Sequence, residues 1–315
     1  MPKLSFQYVR QHLTETLLEF LVRRFKYHGL MEWEERILSG NVLVNGKNLR
    51  PETLLRTGHK IVYEPPLVPE PEVDTGYAVL FEDDVLLAVD KSGNIPTSPS
   101  GKYWRNCLVH HLKEERGLEE LHAVHRLDRE TSGINLFTKS KDTARSLGRD
   151  FMEGRVGKIY SAVLRGRLPG SEVLLNAPIA RDEASSIHIR QKVRRDGRPA
   201  QTRYTLVSQL SGAALVRIAT YTGRTHQIRV HAEYFGCPVW GDKLYGREEE
   251  DFIQWVANGE RNSTSRHLLH AAELAFSHPQ TGRRIQIQSP PKVILELYSR
   301  ENGQRFNLEG LDSPH

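Results

Sequence analysis

The densest polar run in this chain of 315 residues is His122-Ala123-Val124-His125-Arg126-Leu127-Asp128-Arg129-Glu130-Thr131-Ser132-Gly133, set immediately before a predicted strand. A carboxylate flanked by arginines, with small hydroxyl residues and a glycine after it, is a loop of groups that need partners. Two readings fit. In one, the run is an ion-paired turn whose Thr131 and Ser132 hydroxyls satisfy backbone donors. In the other, guanidinium neighbours keep Asp128 ionised, ready as a nucleophile or a proton acceptor. A free Asp titrates at about 3.9, so Asp128 needs no separate base to be anionic at neutral pH.

Taken whole, this run resembles the catalytic motif of RluA-type pseudouridine synthases, which reads HRLD, two variable residues, then TSG. Further segments follow in the family's order. Gly157-Lys158-Ile159-Tyr160-Ser161-Ala162 is similar to its KxYxA strand, and Gly223-Arg224-Thr225-His226-Gln227-Ile228-Arg229-Val230-His231 to its GRTHQIRVH segment. Two weaker signatures are Gly241-Asp242 with Leu244-Tyr245-Gly246, and Arg266-His267-Leu268-Leu269-His270-Ala271. The resemblance spans about residues 78 to 298.

The resemblance implies site-specific isomerisation of uridine in structured RNA, ribosomal or transfer. The glycosidic bond breaks, the uracil turns, and the sugar is rejoined to carbon 5, with no cofactor. Asp128 is then the carboxylate at the sugar, and Arg224, the arginine of GRTHQ, holds it ionised. Tyr160 is the active-site aromatic. On a strand it shares a face with Lys158 and Ala162, so its ring can stack on the flipped uracil and its hydroxyl can accept or relay a proton; read without the family, it is a core tyrosine with a bonded tip. Arg126 occupies the position from which an arginine fills the space left by the extruded base. His125, Lys158, Thr131, His226 and Arg229 complete the expected RNA and base-flipping contacts. The paired histidines (His122 and His125, His226 and His231, His267 and His270) lack the four-residue spacing of a zinc-binding helix and have no cysteine nearby, so no metal is expected.

These residues need a scaffold. Pro65, Pro66, Pro69 and Pro71 fall within seven residues, which reads as a stiff extended linker. The expected organisation is a small module over 1–68, a linker over 69–77, a catalytic domain over 78–300 and a tail over 301–315. Within the catalytic domain, strands are expected at 79–81, 85–89, 134–138, 158–164, 201–207, 214–220 and 284–288. Helices are expected at 142–152, with Ser140 as N-cap, and at 225–235, stopped by Gly236 and Pro238. Without regular βαβ alternation, the fold class is α+β, with a mixed, mostly antiparallel sheet carrying helices and loops on its faces.

Before the linker, residues 6 to 38 carry apolar positions at helical spacing (Leu13, Leu17, Leu21, then Ile37 and Leu38), broken at Tyr27-His28-Gly29, and Asn45-Gly46 follows as a tight-turn pair. The stretches 37–47 and 57–61 resemble the turn-and-strand half of the α-L RNA-binding module. Contact with RNA through Arg23, Arg24, Lys26 and Lys47 is one expectation for it, and a structural or partner-binding role the other.

Composition bounds the rest. With 38% hydrophobic and 26% charged residues the chain is an ordinary globular one, which excludes disorder, collagen and coiled coil. No run of about 18 apolar residues occurs and no signal-peptide core opens the chain, so a soluble, cytoplasmic protein without a membrane partner is expected. Cys107 and Cys237 give no disulfide framework. A monomer is expected. The formal charge is +5, and between Arg181 and Arg229 ten Lys or Arg face three Asp or Glu, which points to a polyanionic partner. Two rivals stand beside the isomerase: a non-catalytic RNA-binding or ribosome-assembly factor that keeps the fold, and an RNA glycosidase that releases free base.

Overall fold

The computed structural model describes residues 4–9, 14–25, 28–66, 69–258 and 266–306. The chain divides into two units, one of Met1–Glu72 with Pro99–Asn106, the other of Val73–Ser98 with Cys107–His315.

In the first unit, β1 (Leu4–Gln7), α1 (Leu17–Arg24), α2 (Leu30–Leu38), β2 (Val42–Val44), β3 (Lys47–Asn48) and β4 (Lys60–Tyr63) follow one another. The four strands form a sheet in the order β1-β4-β2-β3. Helical spacing was misleading at the start of this stretch, because Leu4–Gln7 pairs antiparallel with β4; Leu13 lies outside the described residues. Helix α1 starts where Thr16 and Glu19 form a capping box. Asn45 and Gly46 have φ of 51° and 78°, the pair of left-handed residues that a type I′ hairpin needs to turn β2 into β3. The core packs Trp33, Phe20, Leu21 and Ile37 of the helices on Val42, Val44, Ile61 and Tyr63 of the sheet.

The second unit is built on β5 (Tyr77–Glu82), β6 (Leu86–Lys91), α3 (Leu108–Glu115), β7 (His122–Ala123), β8 (Ser132–Thr138), α4 (Lys141–Met152), β9 (Gly157–Arg165), β10 (Glu172–Asn176), β11 (Ile179–Arg181), β12 (Gln191–Val193), β13 (Gln201–Leu210), β14 (Ala213–Thr220), α5 (Gln227–Tyr234), α6 (Glu249–Ala257), β15 (Leu269–Ser277), β16 (Arg284–Gln288) and α7 (Lys292–Asn302). Its main sheet runs β10-β13-β14-β9-β15-β8-β6-β5, with β7 on β8 and β16 on β15. Every pairing is antiparallel except that of β15 with β8. The class is therefore the α+β expected. Strand β8 is buried along its whole length, which is why its apolar residues Ile134, Leu136 and Phe137 fall on both faces, and its one buried amide, Asn135, is bonded to Thr97.

That single parallel contact fixes the polar loop. His270 stands opposite Ser132, and Ala271 opposite Gly133. Gly133 has φ of 104°, and a Cβ there would lie 2.6 Å from the Ala271 amide nitrogen and nearer still to its carbonyl oxygen. Only glycine lets the two strands approach so closely.

Candidate active site

Asp128 sits in the loop that feeds β8, and the loop is held from below by groups that point into it. Lys91, at the end of β6 and almost fully buried, donates from Nζ to the carbonyls of Ser92 (2.8 Å), Ile95 (2.8 Å) and Arg129 (3.0 Å). Burial first, then the charge of Arg266, lowers its pKa to about 7, against the pull of Asp128. Thr97 accepts from the Leu127 amide at 3.1 Å and donates to Asn135 at 2.7 Å. From the β15 side, Arg266 donates to the Glu130 carbonyl (2.7 Å) and the Ser132 hydroxyl (2.9 Å). Thr131 bonds His267, and Ser132 bonds His270, each at 2.8 Å. His270 Nε2 faces the Ser289 carbonyl, so this nitrogen carries the proton and Nδ1 accepts from Ser132. Burial holds both rings neutral.

The carboxylate itself is about one-third exposed and accepts through Oδ2 from Arg229 Nη1 at 2.9 Å. Arg229 is otherwise gripped by Asp242, whose fully buried carboxylate takes Nε at 2.6 Å and Nη2 at 2.9 Å. Asp242 Oδ1 also accepts the amides of Leu244 and Tyr245. The fork is thus fixed with one nitrogen left for Asp128. Burial pushes the Asp128 pKa up, but His226, Arg229 and Lys91 outweigh it and hold the group below the ordinary carboxylate value. For Asp242 the same contest ends at about 2, burial being overcome by Arg229.

Here the sequence reading is corrected. Arg224, not Arg229, was the expected partner of Asp128, yet its Nε donates to the Pro199 carbonyl at 2.8 Å and no ion pair joins it to Asp128. The cause is where the helix begins. His226 takes a left-handed φ of 54° as N-cap, α5 starts only at Gln227, and Gln227 Oε1 accepts the Arg224 amide. Arg224 is left on the approach loop, while Arg229, in the first turn, points inward.

The left-handed turn also places His226 at the pocket. Its Nε2 lies 4.0 Å from Asp128 Oδ1, and its Nδ1 is 2.8 Å from the Tyr245 hydroxyl. Tyr245 accepts from the Gln191 amide and so gives its own proton to Nδ1, which leaves Nε2–H aimed at the carboxylate. Burial lowers the His226 pKa to about 4, so the ring is neutral at pH 7. Tyr160, on β9, is raised well above the ordinary phenol value, first by burial and then by the charge of Asp128. It therefore stays protonated at neutral pH, and can take up a proton only by passing its own onward.

The remaining expected residues divide. Arg126 is exposed and makes no hydrogen bond or ion pair with the described residues, as an inserting side chain needs. Thr131 is 2% exposed and bonded to His267, and Arg229 is buried between two carboxylates, so both serve the loop and the carboxylate instead of touching RNA. His125 accepts from the Leu136 amide and stacks on Phe151, a framework use, and burial, then the charge of Lys158, lowers its pKa to about 3. Lys158 is buried near the start of β9 and donates to the Thr222 carbonyl at 3.4 Å. In the first unit, Arg23 is held by the buried Glu15 at 2.6 Å, which makes it part of that unit's framework. Arg24 lies over the Phe25 ring and Lys47 is exposed, while Lys26 lies outside the described residues.

With this geometry in place, comparison with known proteins is direct. The sequence profile described as RNA pseudouridylate synthase matches residues 85–234. The ribosomal large subunit pseudouridine synthase C of Vibrio vulnificus (strain CMCP6) is 34% identical over 275 residues, covering 82% of this chain and 84% of that protein. The chain belongs to the RNA pseudouridylate synthases. Its Escherichia coli (strain K12) relative of the same description is 35% identical over 269 residues, covering 81% and 83%. The structure of human RNA pseudouridylate synthase domain containing 1 superposes with a TM-score of 0.57 at 26% identity, over 70% of this chain and 86% of that one.

For a pseudouridylate synthase, the sequence reading missed Lys91, Asp242 and Tyr245 as parts of the site. Asp242 and Tyr245 lay in a recognised signature without an assigned role. Lys91 had one signal, a charge ending an apolar strand. Among the described residues no cluster of His, Cys, Asp and Glu could hold a metal ion, and no helix is long and apolar enough to cross a membrane.

Proposed function

We propose that this pseudouridylate synthase acts on uridine in large-subunit ribosomal RNA, with Asp128 as the group that attacks or deprotonates the sugar. The observation that supports the role most is the division of labour on one carboxylate. Oδ2 is bonded to Arg229, while Oδ1, which has the His226 edge at 4.0 Å and no hydrogen bond among the described residues, keeps lone pairs for the substrate. Arg229 orients and ionises Asp128, and Asp242 positions Arg229. Tyr160 forms the wall on which the uracil stacks, and its phenol relays a proton toward Asp128. Arg126 enters the space the base leaves. The ribosomal target follows the descriptions of the bacterial relatives. The protein works as a cytoplasmic monomer without cofactor.

Pseudouridine mapping by chemical derivatisation of RNA, from cells with and without this protein, tests the target. The expected result is loss of one or a few positions in large-subunit ribosomal RNA, restored by the wild-type chain and not by Asp128→Asn. Loss confined to transfer RNA would replace the target, and release of free uracil would replace the isomerase by a glycosidase.

A further inference from the structure

Three cations meet at one end of the main sheet, where neighbouring strands begin and end. Lys158 stands on β9, Arg198 lies just before β13, and Arg224 follows β14. None has a carboxylate within 4.0 Å among the described residues. Other cations of this unit are paired or held by several bonds: Arg229 has Asp242 and Asp128, Arg190 has Glu233, Lys243 has Glu130, and the buried Lys91 donates to three carbonyls. Lys158 is 8% exposed, and among the described residues the one hydrogen-bond partner of its ammonium is a carbonyl at 3.4 Å. An ammonium with so little to replace water is costly to bury unless an anion arrives.

The loop carrying Arg224 is built for position. Thr222 donates to Gln227 Oε1 at 2.7 Å and accepts the Gln201 amide at 3.0 Å. Gln227, itself buried, also accepts the Arg224 amide and donates to Gln201 and Thr202. Arg224 Nε donates to the Pro199 carbonyl at 2.8 Å, which anchors the guanidinium at that nitrogen. Above the loop the space is open, since a Cβ at Gly223 would meet nothing within 4 Å.

We propose that Lys158, Arg198 and Arg224 form a phosphate site that grips a backbone phosphodiester adjoining the turned-out uridine. The location follows from the strand. Lys158 and Tyr160 are two residues apart on one face of β9, roughly 7 Å along the chain, so the cations lie beside the pocket that holds Tyr160 and Asp128. The ligand class follows from the donors. An RNA brings one anionic phosphodiester per nucleotide, and an ammonium with two guanidinium forks matches its non-bridging oxygens. Mutual repulsion supports this: Arg198 lowers the pKa of Arg224, and Arg224 that of Lys158, in each case after burial. The site rests on the isomerase reading and gives Arg224 a binding duty in place of a chemical one.

The test uses the full chain and total RNA from cells lacking it, following pseudouridine formation over a range of salt. Lys158→Met, Arg198→Ala and Arg224→Ala should each raise KM several-fold, with kcat within about threefold of wild type. Each should also flatten the plot of log KM against log salt by about 0.7, the share of one phosphate contact on a single strand. Arg224→Lys should recover most of the loss. Lys158→Met should melt no lower than wild type, because it removes a buried charge that has no counter-ion. A hundredfold loss of kcat at unchanged KM and unchanged salt slope, or a clear drop in melting temperature for Lys158→Met, overturns the site. If the wild-type chain restores no pseudouridine, the isomerase reading fails instead. Binding of a ten-residue oligouridylate then still decides the phosphate site: a slope lowered by the variants supports it, and an unchanged slope rejects it.

Discussion

At the scale of single residues, the site turns on one guanidinium shared by two carboxylates. Arg229 neutralises only one negative charge, and the neutral His226 adds none, so the pocket keeps an anionic oxygen directed at the substrate. Asp128→Asn preserves the shape and still offers Arg229 an oxygen, but has no charge with which to attack or deprotonate. Pseudouridine formation should fall by at least about a thousandfold while the melting temperature and RNA affinity hold; retained turnover would remove Asp128 from the chemistry. Because its pKa is depressed, acidification to about pH 5 should not protonate it, and the acid limb of kcat should lie lower still. Asp242 makes a stability prediction of definite sign. Its folded pKa of about 2 lies below the ordinary carboxylate value of 3.8, so its contribution is complete above that value and is lost as pH falls toward 2. The difference corresponds to about 2 kcal/mol. Denaturant melts of wild type and Asp242→Asn should therefore converge as pH drops from about 5 to 2; parallel curves would mean that Asp242 is not held ionised by the fold. Arg126 is the exposed residue of the loop. Arg126→Ala should slow modification of a structured RNA more than of a loose single strand, where extrusion costs less, and equal defects on both would place Arg126 elsewhere.

At the scale of elements, the loop is positioned by a contact between β8 and β15, strands separated by more than a hundred residues. Gly133→Ala adds one methyl where the backbone of Ala271 already stands, at a φ that L residues rarely adopt. The strands must part, so a loss of at least about 2 kcal/mol is expected in a denaturant melt, with turnover falling further because Ser132 and Thr131 leave their histidines. A variant as stable and active as wild type would show that the close approach is dispensable. This contact also marks how far local pattern reaches. Strands β8, β9, β13, β14 and β16 and helix α4, with its Ser140 cap, were legible because alternation, apolar runs and caps are properties of neighbouring residues. The parallel seam was not, since nothing within Leu269–Ser277 announces which distant strand it joins. Arg224 failed for a related reason. Two arginines five residues apart were both candidates, and the choice was made by a left-handed histidine that delays the helix start. Propensity gives little sign of that turn, because even histidine, enriched at positive φ among non-glycine residues, adopts it only rarely.

At the scale of the molecule, affinity for RNA is expected to be mainly electrostatic, so the cations that matter are those left without ion pairs among the described residues. In the second unit Arg126, Arg198 and Arg224 meet that condition. In the first, Arg24 and Lys47 are exposed and free of ion pairs with the described residues, whereas Arg23 is held by Glu15. If the first unit is an RNA handle, reversing the charge at Arg24 and Lys47 together replaces attraction to phosphate by repulsion. Both side chains are exposed, and among the described residues only Arg24 touches a ring, that of Phe25, so the melting temperature should change little. Affinity for the substrate RNA should fall by roughly tenfold at low salt, with the gap from wild type narrowing as salt is raised and the charges are screened. Turnover at saturating RNA should remain, because both residues belong to a unit that contributes none of the groups assigned to the chemistry. Filter binding across a salt series, paired with kcat, separates the two roles the sequence left open for this unit. A salt-dependent loss of affinity with kcat kept supports the handle, and unchanged affinity at every salt concentration assigns the unit a structural or partner-binding role.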